Sequence, residues 1–353
     1  MSLTRAFISP KCTAALSVAL ILAMAYAVSW TSRGDAANVS TKRWGKDYLP
    51  NLTVVDQDGK SYRFFDDLID GKIVAINFIY TTCTDICPLT TARLAVVQEK
   101  LGDAVGRDIF MYSITVDPEH DDPAALKRHA DAFGVKPGWK FLTGKPEDIR
   151  LIRTKLGERS RVISEHRHEI MLGNAATGEW SRDSAFGDLD NLAINIKSMD
   201  PKWRDQVHEI PRDAAIPAAL EVTDRPGQAL FIKACAACHT VGKGVRIGPD
   251  LNGVATRRSR DWLSRFITRP DKMIAENDPD AVALAAKFPG VRMPNLQVTD
   301  TDARDLIAYL EAETYAANAD PSAAAEHQKQ HDHGDTHEHE HEHDHGAHDH
   351  KHP

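Results

Sequence analysis

The sequence has few cysteines and no excess of basic charge. Five cysteines in 353 residues are too few and too unevenly placed for a disulfide scaffold. Lysine and arginine total 43 against 51 acidic residues, and no part of the chain has a strong basic surplus, so we expect no nucleic acid partner. Hydrophobic residues make up 42% of the chain, which excludes wholesale disorder.

The acidic charge is concentrated at one end of the chain. Residues 317–353 contain nine acids and two lysines, a net charge of −7, which leaves −1 of the total −8 for everything else. The same segment holds 11 of the 17 histidines. We predict a disordered tail over 316–353 whose imidazoles and carboxylates collect metal ions such as Cu(II), Zn(II) or Ni(II). A purely solubilising tail is the alternative.

The opposite end carries a long uncharged run. After Arg5 and Lys11, no charged residue occurs from Cys12 to Ser32, a length of 21 residues that suffices to cross a hydrocarbon core. We predict that segment 1–34 is a membrane anchor, with a cleaved signal peptide as the alternative. In both cases the body is exported, either anchored to the inner membrane with its body in the periplasm or released there.

Strand and helix patterns alternate between residues 48 and 198. Near-continuous apolar runs predict strands that are buried on both faces, and 3.6-residue periods predict helices. The predicted elements are a hairpin over 52–68, strands at 73–80, 109–116 and 170–173, and helices at 88–101, 122–133 and 147–156. We therefore predict an α/β domain with a central sheet. Residues 199–225 contain several prolines and no sustained period, which predicts a linker.

A close cysteine pair follows the first buried strand. Cys83 and Cys87 lie where the next helix begins, and the helix N-terminus is expected to lower thiol pKa values. Two thiolates four residues apart can bind one soft ion, Cu(I) by preference, with zinc as a competitor. If the pair binds no metal, the alternative is that Cys83 and Cys87 form a structural disulfide. His166 and His168, which lie on one side of an extended segment, are candidates for a third ligand.

These residues belong to a stretch that resembles a known family. Residues 48–198 resemble the Sco/SenC family of thioredoxin-fold copper proteins. The matching segments are Asn77–Pro88, Ser113–Pro118, Asp122–Phe133 and Gly138–Gly144. The resemblance implies a thioredoxin-like fold and copper bound by two cysteines and one histidine. Position along the family pattern favours His166 over His168, and Asp117 corresponds to a family acid near the site.

The second half contains a haem attachment motif. Cys235, Cys238 and His239 form C-x-x-C-H, in which two thiols bond to haem c and the histidine binds its iron. Helical patterns without a convincing strand predict a small all-α domain over 226–315. This stretch resembles class I cytochromes c, which implies Met293 as the second axial ligand, with Met273 as a rival. The overall prediction is an α/β thioredoxin-like domain followed by a small all-α cytochrome c domain.

Three functions follow from this arrangement. The Sco/SenC resemblance implies delivery of copper to a cuproenzyme, with a cytochrome c oxidase subunit as the expected recipient. Haem c would then exchange electrons with the copper or the dithiol, and with a redox partner. One alternative is a thiol–disulfide oxidoreductase that acts on a partner's cysteines, in which case the protein is an enzyme. The other is a plain electron carrier.

Overall fold

The computed structural model describes residues 44–84, 86–208 and 225–319. The predicted N-terminal anchor, Asp85, most of the predicted linker and nearly all of the predicted tail lie outside these ranges. Within them, no helix is both long and apolar enough to cross a membrane. The chain divides into two compact units with the main division between residues 220 and 221, and each unit is described by itself.

The first unit is an α/β structure. Its strands are Thr53–Asp56 (β1), Ser61–Arg63 (β2), Ile73–Ile79 (β3), Ile109–Thr115 (β4), Trp139–Gly144 (β5), Glu169–Asn174 (β6) and Glu179–Ser184 (β7). Its helices are Ile86–Leu101 (α1), Pro123–Ala132 (α2), Pro146–Lys155 (α3), Leu189–Lys197 (α4) and Pro201–His208 (α5). Three shorter turns are helical, at Phe64–Ile69, Gly102–Ala104 and Ile163–Glu165.

The seven strands form one mixed sheet in the order β2-β1-β5-β4-β3-β6-β7. Strand β4 pairs in parallel with both β3 and β5, and the remaining pairs are antiparallel. Ile79 at the end of β3 pairs with Thr115 at the end of β4. The segments that follow these two strands therefore leave the sheet at the same edge, which is where the cysteine pair lies.

Apolar side chains cover both faces of this sheet. On β3, Ala75 and Ile79 belong to one buried cluster, and Val74, Ile76 and Phe78 belong to the other. Successive strand residues point to opposite faces, so burial on both faces requires the near-continuous apolar run that predicted this strand. Helices α1, α2 and α4 supply the first cluster, and α3 and the Phe64–Ile69 turn supply the second.

The structure corrects several local predictions. The predicted hairpin ends earlier than expected, because Phe64 and Phe65 lie in a helical turn rather than in the second strand. Both phenylalanines enter the same buried cluster, which adjacent residues of a strand cannot do. Helix α1 begins at Ile86, two residues before the expected start. Helix α5 occupies the first part of the segment predicted as a linker.

The second unit is helical, and the structure assigns no strand among residues 225–319. Its helices are Gln228–Leu230 (α6), Val254–Arg257 (α7), Arg260–Thr268 (α8), Pro270–Ala275 (α9), Pro279–Lys287 (α10) and Asp300–Ala319 (α11), with a π-helical turn at Phe231–Cys235. One buried cluster of this unit has four members, from the π-helical turn and α11, with partly buried hydrophobic residues packed against it: Phe231, Leu306, Tyr309 and Leu310.

Candidate functional site

The cysteine pair lies at the start of α1, beyond the end of β3. Cys83 is in the loop between the two elements, and Cys87 is in the first turn of the helix. The backbone N–H of Cys87 donates a hydrogen bond to the sulfur of Cys83 over 3.4 Å. Both side chains are buried, with exposed fractions of 8% for Cys83 and 1% for Cys87. Within the described chain the two sulfurs are thiols and form no disulfide.

His166 reaches this pair from a distant part of the sequence. Its Nε2 lies 3.7 Å from the sulfur of Cys87, and its side chain is buried. Its Nδ1 lies 2.9 Å from the carbonyl oxygen of Ile163 and can only donate to it. In the neutral ring this leaves the lone pair on Nε2, facing the sulfur. The structure thus brings together two of the predicted ligands directly, with Cys83 beside them.

The separation of sulfur and nitrogen suits a single bound ion. Bonds of about 2.3 Å to sulfur and about 2.0 Å to imidazole nitrogen place the two donors about 3.7 Å apart at a trigonal angle. No set of three Cys, His, Asp or Glu side chains in the described ranges is already close enough to hold an ion. Binding by Cys83, Cys87 and His166 together therefore requires side-chain rotation.

His168 lies beside the site, and its ring packs edge-on against Phe186. Its ring centre is 4.5 Å from that of His166, and its buried Nδ1 has no hydrogen-bond partner in the described chain. Burial lowers the pKa of His168 to about 4, and the neighbouring His166 adds to this effect. His166, and not His168, makes the contact with Cys87.

The expected lowering of the thiol pKa does not occur at Cys87. Hydrogen bonding with Cys83 and burial raise the pKa of Cys87 above its ordinary value. The prediction from the helix N-terminus was therefore wrong for this thiol. A second sulfur at close range and removal from water outweigh the backbone dipoles.

Asp121 supports the loop that precedes Cys83. Its carboxylate accepts hydrogen bonds from the backbone N–H of Thr81 at 3.1 Å, and from the hydroxyls of Thr81 and Thr115, each at 2.5 Å. Burial raises the pKa of Asp121, although these donors oppose the shift. The carboxyl group ties the end of β4 to the cysteine loop. No sequence signal distinguished Asp121 from its neighbour Asp122, which caps helix α2.

Glu158 supports the loop that carries His166. This buried carboxylate accepts 2.7 Å hydrogen bonds from the backbone N–H groups of Ser160 and Arg167. Burial raises the pKa of Glu158, but these two donors and Arg153 outweigh it, so the net shift is downward. The loop from 158 to 167 is thereby closed at both ends by one side chain. Sequence reasoning missed this residue, since nothing local marks its burial.

Asp117 does not join the thiol site directly. Its carboxylate is paired with the imidazole of His120, at 2.9 Å. Its backbone N–H donates to the hydroxyl of Thr115, at 2.9 Å, which is the arrangement of a residue that ends a strand. Of the acids near β4, Asp121 contacts the cysteine loop and Asp117 does not.

In the second unit, three of the four predicted haem residues line one cavity, and Cys238 is not among its wall residues. The cavity has a volume of about 430 Å³, and its walls include Cys235, His239 and Met293. His239 donates from Nδ1 to the carbonyl oxygen of Pro249 over 2.9 Å, which leaves the lone pair of neutral His239 on Nε2. A Cβ atom at position 248 would lie 2.6 Å from Cε1 of His239, so glycine is required there.

The cavity separates the two candidate methionine ligands. Met293 lines it, whereas Met273 is buried elsewhere, in helix α9, and is absent from its wall. Leu251, Phe266 and Leu310 are among the apolar residues that form the remaining wall. The placement of Met293 is consistent with the predicted ligand pair of His239 and Met293.

The residues of this unit fit a haem group. A cluster of four buried side chains is a small core for about ninety residues, and a large apolar cofactor would complete it. Burial raises the pKa of both Cys235 and Cys238 to about 12, which keeps the unreacted thiols protonated. The Cys235 thiol, the His239 imidazole and the Met293 thioether line an apolar cavity, and the second thiol of the C-x-x-C-H motif follows Cys235 by three positions. These are the groups of a c-type haem site.

Asp250 shapes the loop after the C-x-x-C-H motif. It accepts hydrogen bonds from the backbone N–H groups of Gly242 at 2.9 Å, Gly244 at 2.6 Å and Asn252 at 2.7 Å. Burial raises the pKa of Asp250, but these donors outweigh it and the net shift is downward. These three contacts explain why an acid suits position 250.

A cysteine pair after the buried strand β3 and a C-x-x-C-H motif beside a cavity define a protein with a thioredoxin-like thiol domain and a helical haem-type domain. Residues 41–169 match the family model described as SCO1/SenC. Residues 225–313 match the family model described as Cytochrome c. The chain therefore combines a SCO1/SenC domain with a cytochrome c domain.

Individual relatives resemble the first domain. The SCO1 protein homolog of Bacillus subtilis is 38% identical over 94 residues, which cover 26% of this chain and 47% of the relative. Protein SCO1 homolog 1, mitochondrial, of Arabidopsis thaliana is 32% identical over 101 residues, or 29% of each chain. The matches thus span half or less of these relatives. The crystal structure of yeast Sco1 with copper bound is 26% identical, covers 45% of this chain and 98% of its own, and has a TM-score of 0.36.

Proposed function

We propose that this protein is an exported copper-binding assembly factor that delivers copper to a cuproenzyme. The observation that carries the proposal is the 3.7 Å contact between the sulfur of Cys87 and Nε2 of His166, with Cys83 adjacent. Two sulfurs and one imidazole form a soft donor set that favours Cu(I). The match of residues 41–169 to the SCO1/SenC family supports the same assignment.

Copper is the cargo of this site rather than a resident cofactor. Each thiol that binds the ion gives up its proton, and Nε2 of His166 contributes its lone pair. Glu158 holds the histidine loop and Asp121 holds the cysteine loop, so the three donors start close to a binding arrangement. Burial of both thiols limits access by oxidants and water, which suits storage of Cu(I) until a recipient displaces the ligands.

The second domain is proposed to serve electron exchange with the copper site. Cys235 and Cys238 would attach the haem, and His239 and Met293 would bind its iron. A c-type haem supplies one-electron transfer, which matches the Cu(I)/Cu(II) couple better than the two-electron reduction of a disulfide. The chain's own contribution is the Pro249 carbonyl, which accepts from Nδ1 of His239 and orients the ring.

The recipient and the compartment are also part of the proposal. The Sco/SenC resemblance favours a cytochrome c oxidase subunit as the copper recipient and a separate redox partner for the haem. The uncharged run from Cys12 to Ser32 supports an anchor in the inner membrane, with both domains in the periplasm. The His-rich tail is proposed as a reservoir that collects metal ions.

Burial of the thiols argues against the oxidoreductase alternative. A thiol that attacks a partner's disulfide needs access and thiolate character. Cys87 is 1% exposed, and its pKa is raised by hydrogen bonding with Cys83 and by burial. The arrangement therefore suits metal binding better than thiol exchange.

Anaerobic Cu(I) titration of a chain that ends at residue 319 tests the copper assignment. We expect one tightly bound ion per chain, and none in the double variant Cys83→Ser plus Cys87→Ser. His120→Ala is the matched control, because this exposed histidine pairs with Asp117 away from the thiols. Unchanged stoichiometric binding in the double variant would rule out the proposed mechanism.

A further inference from the structure

His168 lies beside the third donor of the copper site and is held there by its neighbours. It directly precedes strand β6, whose first residue, Glu169, pairs with Ser184 of β7. Its ring centre lies 4.5 Å from that of His166 and 6.1 Å from that of Phe186. Phe186 packs in turn against the buried cluster that helices α1, α2 and α4 share with the sheet. The strand and the two ring contacts therefore keep this imidazole next to His166.

One nitrogen of His168 has no use within the folded domain. Its Nδ1 is buried and has no hydrogen-bond partner in the part of the chain that the structure describes. A buried polar atom without a partner costs free energy, and each such atom in a native structure calls for an explanation. The adjacent rings supply no partner, because Phe186 is apolar and both nitrogens of His166 face other atoms. A metal ion would supply one, since neutral imidazole binds metals through the lone pair of either nitrogen.

The spacing of the two imidazole rings matches that of two ligands on one ion. A metal lies about 2.0 Å from the imidazole nitrogen that binds it, and so about 3.2 Å from the ring centre. Two rings bound at a right angle would have centres about 4.5 Å apart, against about 5.1 Å at the tetrahedral angle. The ring centres of His166 and His168 are 4.5 Å apart. Neighbouring ligands at right angles are typical of the square-planar and tetragonal sites that Cu(II) prefers.

We infer that His168 is a fourth copper ligand, which binds Cu(II) through Nδ1 and is not used by Cu(I). This inference rests on the proposed copper function and adds how the site distinguishes the two oxidation states. The soft set of two thiolates and one imidazole already suits Cu(I), whereas Cu(II) gains from a second imidazole that completes a four-coordinate square. No three donors in the described ranges lie close enough to hold an ion as they stand, so the side chains rotate when copper binds.

A ligand that only one oxidation state uses changes the potential of the bound copper. The loss of an outer partner of a metal ligand costs about 10- to 100-fold in affinity, and the loss of a direct ligand should cost no less. We therefore expect His168→Phe to lower Cu(II) affinity at least about tenfold and to leave Cu(I) affinity unchanged. For this one-electron couple, each tenfold loss of Cu(II) affinity alone raises the Cu(II)/Cu(I) potential by about 59 mV.

Pulsed electron paramagnetic resonance of the protein with one equivalent of Cu(II) counts the bound imidazoles. The sample is a chain ending at residue 319, which keeps every described residue and removes the histidine-rich tail. Its haem is oxidised beforehand, so that it cannot reduce the added ion. We expect the remote-nitrogen signals of two imidazoles in the wild type and of one in His168→Phe. The phenylalanine keeps an aromatic ring against Phe186 and has no nitrogen to bind copper.

His120→Phe is the matched control, because this exposed histidine pairs with Asp117 away from the thiols, and it should keep two imidazoles. A single imidazole in the wild type would overturn the inference, and this count needs no variant. Equal Cu(II) spectra in the wild type and His168→Phe would overturn it as well, as would an equal loss of Cu(I) and Cu(II) affinity in His168→Phe.

Anaerobic Cu(I) titration of the same proteins separates this inference from the proposed function. One tightly bound Cu(I) in His168→Phe would show that the variant is folded and that Cu(I) does not need this ligand. A wild type that binds Cu(I) but shows one imidazole on Cu(II) would keep the proposed function and contradict the role of His168. Absence of Cu(I) binding in the wild type would contradict the proposed function, and the imidazole count would still decide whether His168 is a Cu(II) ligand.

Discussion

In the first domain, buried side chains close both faces of a seven-stranded sheet, whereas in the second a cavity of about 430 Å³ lies beside a cluster of four buried residues. The thiol site is therefore an addition to a core that is complete without an ion. The haem site, in contrast, occupies the place where the core of the helical domain should be. A cargo that must be released suits the first arrangement, and a permanent cofactor suits the second.

Removal of the haem cysteines is expected to have the largest effect. In Cys235→Ala plus Cys238→Ala, we expect loss of covalent haem and unfolding of the helical domain, with the first domain still folded. Without haem, the apolar cavity of about 430 Å³ is left unfilled in a domain whose buried core is small, and a domain of this size depends on such a group for its stability. Calorimetry measures the unfolding of each domain, and haem absorbance measures the loss of covalent haem. Cys83→Ser plus Cys87→Ser is the matched control and should keep the haem and both unfolding transitions.

The first domain should respond to acid through its own core. His129 is buried, its Nε2 lies 3.0 Å from the Thr91 hydroxyl, and burial lowers its pKa to about 4. In the unfolded chain, the pKa of this histidine has its ordinary value near 6.5. The unfolded state therefore binds the proton before the folded state does, and stability falls as pH drops from about 6.5 to 4. The loss approaches about 3 kcal/mol.

Denaturant unfolding of the first domain between pH 4 and 7 measures this effect. The free energy of unfolding of the wild type falls by about 3 kcal/mol toward pH 4 because of His129. In His129→Gln, most of this fall should be absent. His120→Gln changes an exposed histidine whose pKa is raised by Asp117, and it should not reproduce the effect. Parallel pH curves for wild type and His129→Gln would contradict the assignment.

The histidine loop should matter for copper binding more than for folding. In Glu158→Ala, the N–H groups of Ser160 and Arg167 lose their acceptor, and we expect Cu(I) affinity to fall ten- to a hundredfold. Competition with a Cu(I) chelator measures the loss. Glu158→Gln keeps an acceptor oxygen and should recover part of the affinity, and Glu165→Ala, an exposed acid of the same loop, should change little. Full affinity in Glu158→Ala would show that the loop needs no support.

Substitution of the two candidate methionine ligands is expected to have the smallest effect on stability, and it distinguishes one ligand from the other. Met293→Leu should lower the haem midpoint potential, because the thioether ligand is lost from the cavity wall. Met273→Leu should leave the potential unchanged and cost less than about 1.5 kcal/mol, since the volume is conserved. Redox titration of both variants decides which methionine is the iron ligand. A lowered potential in Met273→Leu with an unchanged potential in Met293→Leu would make Met273 the ligand.

Much of the first domain was predictable because its central strands are buried on both faces. The apolar runs at β3 and β4 predicted both strands, and helix α2 begins one residue after its predicted start, with Asp122 as its N-cap. Strand β7 was missed because it lies at the edge of the sheet and its residues are mostly exposed. Helix α4 was missed despite a signal, since Asp188 caps it by accepting from the N–H of Asn191.

The residues of the candidate sites also fall into two groups, those that sequence motifs identified and those whose role depends on the fold. Motifs identified Cys83, Cys87 and the haem residues, because these donors lie close together in sequence. No local motif links His166 to Cys87, 79 positions away; the family resemblance named His166, and the fold shows the contact. The acids that orient the loops, Asp121 and Glu158, have no local signature because their role depends on burial and on distant N–H and hydroxyl donors.

One measurement tests the central claim that copper binding and haem redox chemistry are linked. Copper(II) is added anaerobically to a chain ending at residue 319 with its haem reduced, and the haem spectrum is followed. The account predicts that about one equivalent of copper is bound and that haem oxidises in proportion. It also predicts that Cys83→Ser plus Cys87→Ser abolishes both changes. Tight copper binding with an unchanged haem spectrum, or haem oxidation that persists in the double variant, would contradict it.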